Sequence, residues 1–300
     1  MKILITGGTG FIGQRLGAQL HRAGHELVVV SRNLLKAQRA ISYEASFIEC
    51  DLQTTALTKN DFDGIDAIIN LIGETIDGRW TSTKKNEILK SRTLSAENLL
   101  KNCPSDLKTI VATSAQGYYG DTANLIVDES SPAGVGFLAE VCKLWEQPFV
   151  DWQKKSKTRV AIIRVGNVLN RGGGALKKLI SLFEKNLGAQ LGSGQQWMSF
   201  ISLEDLCKVY QNAVENEVYQ GVINAVTPEP VQNKEFTEKL CQGLKVFQLP
   251  SVPGFVLKAL LGEMSVLALG STRVKPTQLL KLNFQFKQPK IDDVFATELQ

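Results

Sequence analysis

Lys2-Ile-Leu-Ile-Thr-Gly-Gly-Thr-Gly-Phe-Ile-Gly13 decides how this chain is read: a short apolar run breaks into Gly7, Gly8, Gly10 and Gly13. An apolar strand that stops at glycines and opens into a helix makes a tight turn with bare amides at its crest. Gly7 or Gly8 takes the left-handed backbone of the turn, Gly10 lets a ligand approach the main chain, and Gly13 permits close packing of helix on strand. The free N–H groups and the dipole of the following helix then attract an anion, here the pyrophosphate of a dinucleotide.

Glycines at this spacing also occur in loops that only need to bend, so the surroundings carry the specificity. Ile3 to Thr6 reads as a buried strand, Gln14 to Ala23 as a helix with Leu16 and Leu20 on one face, Gly24 as its stop, and Glu26 to Val30 as a second strand. Further strand-like runs follow at Ser46 to Cys50, Ala67 to Leu71, Thr109 to Thr113, Val160 to Val165 and Gly221 to Val226. Helical patterns lie near 12–23, 83–101 and 135–155; Pro104 closes the second, and Pro148 is expected to kink or restart the third. Helices are also expected over 175–186, 203–216, 234–242 and 252–261, with a glycine-rich turn at Gly192 and Gly194.

Alternation of this kind implies a parallel sheet with right-handed crossovers. The expected fold is therefore α/β, a doubly wound parallel sheet of Rossmann type with a second, smaller, mostly helical domain. The dinucleotide-binding domain covers 1–168 with a returning segment at 198–227, and the substrate domain takes 169–197 and 228–300.

Composition narrows the function classes. With 43% hydrophobic and 21% charged residues in 300, the chain is an ordinary globular one. The net charge of +4 is scattered rather than gathered into a run, which argues against a nucleic-acid partner. There is no stretch of about 18 apolar residues and no signal-peptide layout at the N-terminus, so the expectation is a cytoplasmic protein without a membrane partner. Its partner is a small molecule, and it is a monomer or homodimer. Cys50, Cys103, Cys142, Cys207 and Cys241 form no CxxC pair and read as reduced thiols. Only His21 and His25 are present, so neither a metal site nor a His-based triad is expected.

The second strand ends Val28-Val-Val-Ser-Arg-Asn33, without the Asp or Glu that holds ribose hydroxyls in an NAD site. Ser31 and Arg32 instead suit a ribose 2′-phosphate, which predicts NADP(H) as the cofactor. Asp51 and Leu52 are placed to flank adenine, and Asn70 and Gly73 end the fourth strand at the edge where a doubly wound sheet binds its ligand.

These features resemble the extended short-chain dehydrogenase/reductase family, which includes nucleotide-sugar epimerases and dehydratases. The likeness runs through Thr6 to Gly13 (with Phe11 and Ile12), Asp51-Leu52, Asn70 to Gly73 and Thr113-Ser114, and covers nearly the whole chain. More narrowly, Gly73-Glu74, Arg79-Trp80, Ser114-Ala-Gln-Gly-Tyr-Tyr-Gly120, Lys143-Leu-Trp-Glu146, Arg164-Val-Gly166 and Gly262-Glu-Met-Ser265 look like an atypical epimerase-like subgroup.

In the parent family a Ser ending the fifth strand, a Tyr, and a Lys four residues later move the proton that accompanies hydride transfer. Ser114 matches the serine. With Trp145-Glu146 as anchor, the Tyr and Lys positions fall near Leu138 and Cys142, and no YxxxK is present; Lys143 is one residue, about 100° of helix, away. Tyr118 and Tyr119 are the candidate replacements, one facing the nicotinamide and the other packing. Arg79 and Trp80 are candidates to clamp an anionic or planar substrate. Arg92 or Arg164 is a candidate to assist that clamp, with Arg164 counted among the cofactor contacts; a buried ion pair or helix packing accounts for either equally well. The implied function is NADP-dependent oxidoreduction or epimerisation. The alternative is a regulatory protein that kept the cofactor site and lost catalysis.

Overall fold

The computed structural model describes residues 1–300. Seven strands form one wholly parallel sheet: β1 (Lys2–Thr6), β2 (Glu26–Ser31), β3 (Ser46–Glu49), β4 (Ala67–Asn70), β5 (Thr109–Ala115), β6 (Arg159–Val165) and β7 (Gly221–Ala225). Their order across the sheet is β7-β6-β5-β4-β1-β2-β3, so the winding reverses between β1 and β4. A crevice opens beyond the carboxyl ends at such a reversal, and that is where doubly wound sheets take their ligands. Register brings Thr6 opposite Val30 and Asn70, and Ser114 opposite Arg164.

The strands are continuous apolar runs because both faces are covered. Ile3, Ile5, Ile69 and Val111 enter one core with Leu16 and Leu20 of α1 (Phe11–Arg22) and Tyr210 of the helix Leu203–Glu215. Leu4, Ile68, Ile110 and Ile162 enter the opposite core beneath two long helices, Ser82–Leu100 and Phe137–Lys155, designated α2 and α3 below. A third core gathers Leu176, Ile180, Phe183, Phe236, Leu240 and Phe295, from helices Gly174–Phe183, Asn233–Leu244 and Ile291–Glu298.

Helix α3 continues through Pro148 without the restart that is one of the two sequence expectations there. A proline inside a helix costs about 3 kcal/mol. Trp145, Phe149 and Trp152 lie on the buried stripe either side of it, and each large apolar side chain contributes about 2 kcal/mol or more on burial, which outweighs that cost. Residues 249–252, partly assigned to a helix on sequence, form instead a short strand pairing with Ala189–Leu191, and the helix starts at Gly254.

Ser202 caps the helix Leu203–Glu215 by accepting from the Asp205 amide at 3.1 Å. The Asp205 carboxylate does not return the bond but accepts from the Lys287 and Gln288 amides, tying the C-terminal segment to the sheet.

Candidate functional site

At the end of β1 the candidate site is built from main chain. Gly7 sits at φ +71, and its carbonyl accepts the Gly10 amide at 3.0 Å, closing the turn. A Cβ on Gly7 would stand 2.9 Å from the Leu71 carbonyl, and one on Gly13 would overlap the Gly7 carbonyl oxygen. Gly10 caps α1 with no side-chain bond, so the Phe11, Ile12 and Gly13 amides are left pointing out of the helix end. The Phe11 ring packs against Gly173 on the facing loop. Beside the turn, Asn70 Oδ1 accepts the Thr6 hydroxyl at 2.6 Å, while its Nδ2 is buried with no partner. Free amides, an orphaned amide donor and glycines that leave no room for side chains fit a dinucleotide pyrophosphate.

One strand over, Ser31 exchanges bonds with the Asn33 backbone at 3.2 and 3.3 Å, and Arg32 is exposed without an ion pair. The Asp51 carboxylate turns back onto the Gln53 amide at 3.1 Å. The Leu52 side chain points down into the core, so at that position only the backbone faces the crevice.

At the end of β5 the surface is built from side chains. Ser114, 1% exposed, donates its hydroxyl to Glu146 of α3 at 2.5 Å. Arg164 grips the same carboxylate with two bonds of 2.8 Å, and both partners are buried. Its remaining Nη1 donates to the Tyr119 oxygen at 3.0 Å, and Tyr119 donates onward to Asn224 at 2.8 Å. The Tyr118 ring lies flat on the guanidinium, 3.3 Å from centroid to Cζ, and meets Tyr119 edge-on.

Burial opposes the charge on Arg164, but the bonds and charge of Glu146 more than compensate, and its pKa is raised. Burial pushes the Tyr119 hydroxyl up to about 12 despite the neighbouring cation. The structure thus brings Ser114, Tyr118, Tyr119 and Arg164 together around one buried ion pair. It distinguishes the two tyrosines: Tyr119 is fully bonded, whereas the half-buried Tyr118 makes no hydrogen bond through its hydroxyl to the rest of the chain.

Glu146 is the member that sequence reasoning used only as an anchor. Its signal was there: a carboxylate in the apolar stripe Trp145, Phe149, Trp152 requires a cation, and Arg164 is the one charge in Val160–Val165.

Leu138 and Cys142 pack against Gly117 in the turn after β5, where a Cβ would lie 3.3 Å from Leu138 and 3.7 Å from the Cys142 sulfur. Lys143 faces solvent and pairs with Glu140 at 3.2 Å. Arg79 is exposed on the loop after β4. Trp80 is buried edge-on to Phe137, its indole N–H donating to the Ile76 carbonyl at 2.8 Å, so it braces that loop. Neither joins the Arg164 cluster.

A doubly wound sheet with a glycine cradle at its switch point defines a dinucleotide-binding α/β protein. The chain belongs to the NAD dependent epimerase/dehydratase family, whose model matches residues 3–225; a second model, a domain of unknown function, matches 252–298. Human epimerase family protein SDR39U1 (isoform 2), crystallised with NADPH, superposes with a TM-score of 0.87 at 29% identity, covering 100% of this chain and 99% of that one. The chloroplastic SDR39U1 homolog of Arabidopsis thaliana is 37% identical over 100% of this chain and 87% of the relative. Epimerase family protein YfhF of Bacillus subtilis is 32% identical over 95% of this chain and 94% of the relative. No helix is long and apolar enough to cross a membrane.

Proposed function

We propose that this protein binds NADP(H) and acts on a small, nucleotide- or sugar-like substrate as an oxidoreductase or epimerase. The observation that carries the cofactor choice is the end of β2: an unpaired Arg32 beside Ser31, with no carboxylate at the end of that strand itself. The human relative's crystallisation with NADPH supports it. Gly7, Gly10, Phe11, Ile12 and Gly13 hold the pyrophosphate through main-chain amides, with Asn70 Nδ2 as a further donor; Asp51 and the Leu52 backbone border the adenine end.

The nicotinamide, when bound, supplies or accepts the hydride. Tyr118 handles the accompanying proton, because its hydroxyl is the one in the cluster not already engaged. The Arg164 guanidinium lies against its ring, 3.3 Å from Cζ to the centroid, and fixes where that hydroxyl stands. Ser114, Tyr119, Glu146 and Arg164 hold that ring in place. Segments 169–197 and 228–300 form the substrate side against the 1–168 and 198–227 unit, and Arg79 reaches over from the β4 loop. The compartment in this proposal is the cytoplasm.

Incubating the protein with NADP+ or NADPH and a panel of sugar nucleotides and carbonyl compounds tests the proposal, read by nicotinamide absorbance and product configuration. Turnover that drops about 100-fold in Tyr118→Phe is the expected result. Leu138 and Cys142, where the family resemblance places Tyr and Lys, favour one second reading, a regulatory NADP(H)-binding protein. Tight NADPH binding without turnover across the panel selects it.

A further inference from the structure

Helix α2 carries one cation at this edge that nothing in the protein neutralises. Arg92 Nη1 donates to the Ile88 carbonyl one turn back at 3.0 Å, and no carboxylate lies within ion-pair distance of the guanidinium. The nearest acid along the chain edge, Glu74, is taken by Lys84 at 2.7 Å. A Cβ on Gly73 would stand 3.0, 3.1 and 3.3 Å from Nη2, Cζ and Nε. Those nearly equal distances put Gly73 over the face of the guanidinium rather than its edge. A side chain at Gly73 would press on the Arg92 guanidinium. The cation also sits 4.8 Å from the Trp145 ring centroid. The Nε–Nη2 edge has no acceptor anywhere in the protein.

A half-buried fork of two parallel donors with an open edge matches a carboxylate, which it can hold with two bonds. Burial lowers the pKa of Arg92, while Cys142 and Glu74 act the other way; a guanidinium keeps its charge regardless. Cys142, at the position where the family resemblance places a lysine, is close enough to feel that charge. The cation beside Cys142 is therefore supplied by α2.

We propose that Arg92 holds a carboxylate of the substrate, so that the molecules turned over are small carboxylic acids or sugar acids rather than neutral sugars or ketones. This rests on the NADP(H) reading of the same crevice. It makes Arg92 a specificity residue distinct from the Tyr118–Arg164 cluster.

The test titrates the protein–NADPH complex with paired probes, 2-oxo and 2-hydroxy carboxylates against their amides, following the fluorescence of bound NADPH. Carboxylates are expected to perturb the signal at concentrations about tenfold or more below those their amides need. Arg92→Gln should erase the difference and Arg92→Lys restore part of it, both with unchanged NADPH affinity and cooperative melts. Equal response to acid and amide, or no response to either with NADPH bound, overturns the proposal alone. So does a matching loss of NADPH affinity in Arg92→Gln, which would assign the guanidinium to the cofactor's phosphates. Failure of the wild-type protein to bind NADPH at all would remove the functional reading and this one together.

Discussion

Two corners of the same sheet edge are built by opposite means. At the end of β1 the proposed ligand surface is backbone: a glycine at φ +71 and three outward amides at the helix end. At the end of β5 it is side chain, with one carboxylate on α3, one guanidinium on β6, one tyrosine ring lying on that guanidinium and a second tyrosine hydrogen-bonded to it. The first corner is fixed by what is missing from the residues, so many substitutions there block the site while the fold persists. The second is fixed by charges buried far from water, and it couples chemistry to stability: a change meant to probe the proton step also removes part of the core.

The contrast breaks most visibly at Glu146. Glu146→Gln leaves Arg164 buried and half-paired, a loss of about 3–5 kcal/mol, so thermal unfolding should drop by about 10 °C with NADPH affinity nearly intact. An unchanged melting temperature would mean the pair is open to water. Gly13→Val should do the reverse. Its Cβ meets the Gly7 carbonyl and the Gly8 backbone, which displaces the turn and weakens NADPH binding by about 100-fold or more in calorimetry. Retained binding would place the pyrophosphate elsewhere.

The smallest effect sharpens the comparison through pH. Burial, with the Glu146 charge, pushes the Cys142 thiol up to about 11, above the ordinary cysteine range. Above pH 9 the unfolded chain releases that proton and the folded one does not. Stability from this group is therefore full below pH 9 and falls as pH rises, by about 1 kcal/mol per unit. Denaturant midpoints at pH 8 and 10 should converge between wild type and Cys142→Ser by that amount; parallel curves would contradict the burial.

The backbone corner could be read from the sequence because a glycine pattern states its own geometry: the βαβ unit, the sheet and its edge all follow from Lys2 to Val30 and its repeats. The side-chain corner could not, because Ser114, Glu146, Arg164 and Asn224 are scattered along the chain and meet only through the β5–β6–β7 register and the rotation of α3. In the sequence alone Arg164 is offered a buried ion pair and Glu146 is used only as an anchor, so the two are not paired. Gly73, read as part of the ligand-binding edge, also lies against Arg92, a contact that only the neighbouring helix supplies.

The most direct measurement is a titration of the protein with NADPH and, separately, NADH by calorimetry, repeated on Arg32→Ala. NADPH should bind about tenfold or more tightly than NADH, and the substitution should remove that margin by weakening NADPH alone. Equal affinity for the two nucleotides in the wild-type protein, or heat from neither, would contradict the assignment of the β1–β2 edge as an NADP(H) site.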